Sequence, residues 1–172
     1  MKEQQTQALA RVLSQASEEA VLRLAAAVEA HARMFVCAAG RSGLMLRAFA
    51  MRLAQMGRTV YVAGETVTPA IAADDLLVLA SASGRTASVL HAAQVARACG
   101  ARLFVISARP DSPLADLHAP DLLLAAPDKD VAGPDALMGT LFEQALLLTL
   151  DEAVLRMRPS AEGMRAAHAN LE

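Results

Sequence analysis

The sequence predicts an α/β protein, a three-layer α/β/α sandwich around a five-stranded parallel sheet. Three observations carry the expectation. Short apolar runs recur at 33–39, 59–64, 75–81, 102–108 and 121–127. Segments with apolar residues at helical spacing lie among them, and strands alternating with helices pair in parallel through right-handed crossovers. The runs are apolar nearly throughout rather than alternating, as strands covered on both faces should be. The strand order expected is 2-1-3-4-5.

The elements follow in order. Residues 5–31 place Leu9, Val12, Leu13, Ala16, Ala20 and Leu24 on one face, which predicts a single N-terminal helix. "RMFVCAA" is the first strand and ends at Gly40. Residues 42–56 return to helical spacing through Leu46, Phe49, Ala50 and Leu53, and Gly57 is the expected stop. "TVYVAG" is β-branched and forms strand two, and "DLLVLAS" is strand three. "TASVLHAAQVARACG" is a helix closing on Gly100, "RLFVISA" strand four and "DLLLAAP" strand five. Residues 136–157 form a long helix ended by Pro159, and a short polar helical tail follows. That long helix is apolar nearly all round. Burial on both sides is therefore expected, hence a homo-oligomer, with the N-terminal helix joining the interface.

Composition narrows the function. The 172 residues suit one domain over 1–172 with a real core. Apolar residues are 55% and aromatics only 3%, with no Trp, so Ala, Leu, Val and Met must build that core. The net charge is −2 and no basic block or aromatic stacking set is present, which argues against a nucleic-acid partner. "MKEQQTQALARV" lacks the apolar core of a signal peptide, and no apolar run reaches membrane-spanning length. Cys37 and Cys99 form no CxxC motif and read as reduced core thiols in a cytoplasmic protein. The four histidines show no metal-ligand spacing, so no metal site is expected.

Two short turns carry the chemistry. "GRSG" (40–43) ends strand one and "SASGRT" (81–86) ends strand three. In order 2-1-3-4-5 the helices after these strands leave on opposite faces, and a crevice opens between them at the carboxyl ends. A helix N-terminus offers unpaired N–H groups and partial positive charge. Gly40, Gly43 and Gly84 permit close backbone approach, and Ser42, Ser81, Ser83 and Thr86 bring hydroxyls. Such a cluster suits a phosphate monoester. Taken singly, Ser42 and Ser83 read equally well as helix N-caps. The absence of GxxxxGK[ST] and of GxGxxG argues against a nucleoside triphosphate or a dinucleotide. A small phosphorylated metabolite is the expected ligand.

These turns resemble the SIS (sugar isomerase) domain, whose Ser- and Thr-rich loops bind the phosphate of phosphosugars. "AGRSGLMLRAFAMRLAQMG", "VAGETVTPAI", "MGTLFEQALLLTLD" and the terminal "HANLE" are similar to the 6-phospho-3-hexuloisomerase family. The likeness spans nearly the whole chain. It implies the SIS fold, a flavodoxin-like strand order, and interconversion of 3-hexulose 6-phosphate and fructose 6-phosphate in formaldehyde fixation by the ribulose monophosphate pathway. It also implies no metal or organic cofactor and a homo-oligomer, often a tetramer, with a dimer as the alternative. The family loop usually reads SGSGET. Here Ala82 and Arg85 replace its Gly and Glu, while Ser81, Ser83 and Thr86 keep the hydroxyls.

The implied reaction moves a carbonyl from C3 to C2 through a cis-enediol, which needs a base beside an α-hydroxy ketone and a second group for oxygen. Glu143 is the candidate base. It shares a helix face with Gly139 and Thr140, and an apolar setting there would raise its basicity. Read alone, it is a solvated Glu; the match of "GTLFEQ" to the family is what selects it. His168 is the second candidate, carried by "HANLE"; in related isomerases a histidine reaches the site from a neighbouring subunit. Glu65, Thr66 and Thr68 follow strand two. They border the sugar hydroxyls in one reading, Glu65 starts a helix in the other, and the sequence leaves both open. Arg41 either neutralises phosphate or covers surface. Asp74 and Asp75 read as a turn, and His31, His91 and His118 as structural or solvent-facing. The alternatives are a non-catalytic phosphosugar sensor and a different SIS isomerase. Such sensors usually carry a DNA-binding module and none is visible in these residues, and by resemblance "HANLE" disfavours the second.

Overall fold

The computed structural model describes residues 2–127 and 139–170. Five strands form one parallel sheet, β1 (Arg33–Cys37), β2 (Thr59–Val62), β3 (Leu76–Ser81), β4 (Arg102–Ser107) and β5 (Leu122–Leu123), in the order β2-β1-β3-β4-β5. All four pairings are parallel, as the sequence predicts. β3 lies in the middle, and all six of its residues are buried. β1 shows how a two-faced core is fed. Met34 and Val36 join one cluster, and Phe35 and Cys37 the other, because successive side chains of a strand point to opposite faces.

The larger cluster is closed by α1 (Lys2–Gln15), α2 (Glu18–Ala30), α3 (Gly40–Gln55) and α6 (Thr140–Arg156). The smaller is closed by α4 (Ala87–Ala98), α5 (Pro113–Leu117) and the segment carrying Ala63 and Ile71. No helix joins β2 to β3, so that segment itself covers the sheet. A short α7 (Ala161–Ala166) ends the described chain and packs on α3.

Several sequence expectations change. The single N-terminal helix is two helices, broken where the Ser17 side chain accepts from Ala20 N–H and caps α2. The apolar pattern runs on across the break because α1 and α2 both pack against α6. α5 escapes the periodicity reading because it is one and a half turns long; Ser112 caps it and Pro113 fills its first turn. The long helix begins at Thr140, its expected residues 136–138 lying outside the described residues. Its burial on several sides is supplied within the chain by α1, α2 and α3, so its composition does not require a second subunit. Leu148 and Leu155 remain exposed on it. Of the two cysteines only Cys37 is a core thiol, and burial pushes it up from its ordinary pKa; Cys99 is exposed. Asp75 is no simple turn residue. It is 3% exposed and accepts from Arg33 Nε at 2.8 Å, from Arg33 Nη2 at 2.7 Å and from Ala72 N–H at 2.6 Å.

Candidate active site

At the carboxyl ends of β1, β3 and β4 the chain encloses a cavity of about 140 Å³. β1 feeds it through Ala39 and Ser42, β3 through Ser81, Ala82, Ser83 and Thr86, and β4 through Ala108 and Arg109. Gly139, Phe142 and Glu143 close it from α6. The two turns singled out in the sequence, together with the acid 57 positions beyond Thr86, therefore meet in one place.

The helix starts at this cavity differ from those elsewhere. Ala39, Thr86 and Gly139 are the N-cap residues of α3, α4 and α6, all three line the cavity, and none of these three residues caps its helix with a side-chain bond. The helices α2, α5 and α7 are each capped by a serine hydroxyl, from Ser17, Ser112 and Ser160. Uncapped helix N-termini leave donor N–H groups and partial positive charge directed outward. Here they converge.

The hydroxyls divide into two kinds. Ser81, 4% exposed, accepts from Gly84 N–H at 3.1 Å and lies 3.0 Å from Thr86 Oγ1, so it shapes the loop from within. Ser83 accepts only a long bond from Arg85 N–H, at 3.3 Å, and no described residue takes up its own O–H. Ser42 sits in the first turn of α3, and its hydroxyl bonds no described residue. Neither Ser42 nor Ser83 is an N-cap, so the alternative reading of these serines does not hold. Gly84 has φ +63°, and a Cβ there would lie 2.1 Å from Ser112 Oγ. Its glycine is demanded by the docking of the loop on α5, where Leu114 N–H also donates to Gly84 O. Gly43 allows α3 to approach the end of β1, since a Cβ would stand 2.9 Å from Ala38 O. Gly40 frames the same turn.

Glu143 is 8% exposed and lines the cavity. Its surroundings are not purely apolar, as the sequence reading expected, because Arg41 Nε donates to Oε2 at 2.5 Å. Arg41 does not itself line the cavity. Glu65 and Thr66 are exposed and lie outside it; Glu65 pairs with Arg47 of α3 and starts no helix. Thr68 donates to Val62 O at 2.6 Å and closes that loop. His168 is exposed, with Nδ1 3.1 Å from Ala169 O. α7, just before it, borders the C-terminal end of α3 at Gln55 and Gly57, which is the end of α3 away from the cavity. Arg109 is the residue that sequence reasoning missed. Its only signal is its place, two residues past β4 on the strand next to the one that carries "SASGRT".

Comparison with known proteins agrees with this architecture. A family model for the SIS domain matches residues 28–148. A 3-hexulose-6-phosphate isomerase of Mycobacterium gastri is 44% identical over 162 residues, which are 90% of this chain and 81% of that protein. Its counterpart in Methylomonas aminofaciens is 37% identical and the match covers 95% and 94% of the two chains. A hypothetical protein of Methanococcus jannaschii, whose crystal structure was taken to infer a molecular function of 3-hexulose-6-phosphate isomerase, superposes with a TM-score of 0.84 at 27% identity over 100% of both chains.

Proposed function

The chain belongs to the SIS domain family, and we infer that it is an isomerase interconverting 3-hexulose 6-phosphate and fructose 6-phosphate. The observation that carries the reading is the convergence of three helix N-termini, the hydroxyls of Ser42 and Ser83 and one carboxylate on one cavity. The phosphate dianion is held by the "SASGRT" loop and the start of α4. Ser83 and Thr86 donate hydroxyl bonds, Ser81 and Gly84 set the loop, and Arg109 supplies positive charge. Ser42, with Gly40 and Gly43 shaping its turn, faces the sugar.

Glu143 then acts on the carbon chain. It removes the C2 proton of the 3-ketose, the electrons flow into the C3 carbonyl, and a 2,3-enediol forms. Reprotonation at C3 and loss of the O2 proton place the carbonyl at C2. Charge develops on oxygen in the enediol, and the N–H groups at the starts of α3 and α6 are the donors available to it. The steps need a base and polar donors and no resident metal or organic cofactor. His168 serves the proton transfer between oxygens in the cavity of a neighbouring subunit, a reading supported by its exposure and by its distance along the fold from its own chain's cavity. Glu65 and Thr66 keep a substrate role only if a neighbouring subunit brings them to its cavity.

The reaction belongs to formaldehyde fixation by the ribulose monophosphate pathway, in the cytoplasm, by a single-domain chain assembled as a homotetramer. Among the described residues no helix is long and apolar enough to cross a membrane. The test is turnover of 3-hexulose 6-phosphate, made from formaldehyde and ribulose 5-phosphate by a synthase. Formation of fructose 6-phosphate by the purified protein supports the reading, and its absence removes it.

A further inference from the structure

We propose that Arg41 is a positioning residue for the Glu143 carboxylate and not a ligand of the phosphate. The inference rests on the reading of Glu143 as the base. Arg41 stands in the first turn of α3 and Glu143 in the first turn of α6, and these two helices pack against one another. The residues are 102 positions apart in sequence, yet Nε of one meets Oε2 of the other at 2.5 Å. Glu143 lines the cavity and Arg41 does not. The Glu143 side chain is 11% exposed, whereas that of Arg41 is 63% exposed.

The asymmetry of the carboxylate is the informative feature. Oε2 is held by Arg41, while Oε1 accepts from no described residue. A carboxylate with one oxygen tethered keeps the other at a defined place for proton abstraction. That pre-arrangement matters because a displacement of about 1 Å at a reacting group costs on the order of 10²-fold in rate. A phosphate role fits the geometry poorly. Arg41 already faces an acid, and a dianion drawn to it would be set beside the Glu143 carboxylate, like charge against like. Arg109 lines the same cavity.

The two roles differ in their kinetics. With Arg41 as the tether, Arg41→Met lowers kcat about 10–100-fold and leaves KM for fructose 6-phosphate nearly unchanged, because the loss falls on the transition state. Arg41→Lys, which keeps a cation without the planar fork, recovers part of kcat. In a Glu143→Gln background, Arg41→Met costs little more, since residues acting as a unit are not additive. Inhibition by inorganic phosphate is the same in wild type and Arg41→Met. A rise of about 10–100-fold in KM and in the phosphate inhibition constant, with kcat kept, overturns the proposal and makes Arg41 an anion ligand. So do losses that add across the double variant. If Arg41→Met does not fold, the proposal falls unless Arg41→Lys separates kcat from KM in the stated sense. Failure of the base reading is a separate result: Glu143→Gln alone then turns over at near the wild-type rate.

Discussion

Replacing Glu143 by Gln removes one charge and almost no volume, and it separates chemistry from stability. The amide oxygen can still accept from Arg41 Nε, where the carboxylate accepts at 2.5 Å. What is lost is the charge assistance, a difference of about 1 kcal/mol between charged and neutral hydrogen bonds. The actual cost should be smaller, since Arg41 is 63% exposed and its charge remains solvated. Loss of a general base costs about 10²–10⁴-fold, or roughly 2.7–5.5 kcal/mol of transition-state stabilisation at 1.36 kcal/mol per tenfold. The catalytic effect should therefore exceed the folding effect several-fold. Two assays read it. One follows fructose 6-phosphate formation, with thermal unfolding of the same sample as control. The other incubates fructose 6-phosphate in heavy water and follows loss of its C3 hydrogen, which reports the proton abstraction in the reverse direction without needing net turnover. The variant should keep its melting temperature and its affinity for fructose 6-phosphate while both rates collapse. Near-normal turnover, or C3 exchange at the wild-type rate, would refute the assignment and leave Glu143 a structural partner of Arg41.

Ser83→Ala should weaken fructose 6-phosphate binding about 10–100-fold, the worth of a hydrogen bond to a charged group at 1.5–3 kcal/mol; calorimetry showing unchanged affinity takes the loop out of phosphate recognition. Glu143→Gln and His168→Ala, each inactive alone, should regain up to about a quarter of wild-type activity when co-refolded, if subunits mix randomly and each site draws on two chains. Mixed oligomers that form by native mass spectrometry yet stay inactive argue against a His168 shared across subunits. Asp75→Asn should lower stability by about 2–3 kcal/mol at neutral pH, by loss of charge-assisted bonds to a partner that is itself partly exposed. The Arg33 guanidinium, through its hydrogen bond, holds the Asp75 carboxyl below its ordinary pKa, so this stability is present above about pH 4 and is lost as pH falls through the lower folded value. The gap in melting temperature between wild type and variant should accordingly be constant from pH 7 to about 5 and close in acid; a gap that widens in acid contradicts the assignment.

The five apolar runs were enough to define the sheet. Each is short, bounded by turn residues and apolar on both faces, and parallel pairing agrees with the helices between β1 and β2, β3 and β4, and β4 and β5, while β2 runs to β3 without one. "GRSG" and "SASGRT" were legible as a binding pair because the order β2-β1-β3-β4-β5 sets the ends of β1 and β3 side by side. Local pattern also misled. Ser17 interrupts what reads as one helix, because the apolar stripe continues into α2 and only the cap bond to Ala20 marks the break.

What the chain's linear pattern could not hold was any contact between distant segments. Ser42 and Ser83 read equally as caps or as ligands, and the choice depends on where their hydroxyls end up after packing. Arg41 and Glu143 carry no mutual signal across 102 positions; the meeting of α3 and α6 pairs them. Arg109 enters the cavity only because β4 lies next to β3. The apolar girth of α6 looked like an interface, and three helices of its own chain turned out to cover much of it. Periodicity is a property of neighbours in sequence and so determines the elements and their buried faces. Which of those faces meet is decided by the close packing of the whole domain, and the site is made where they do.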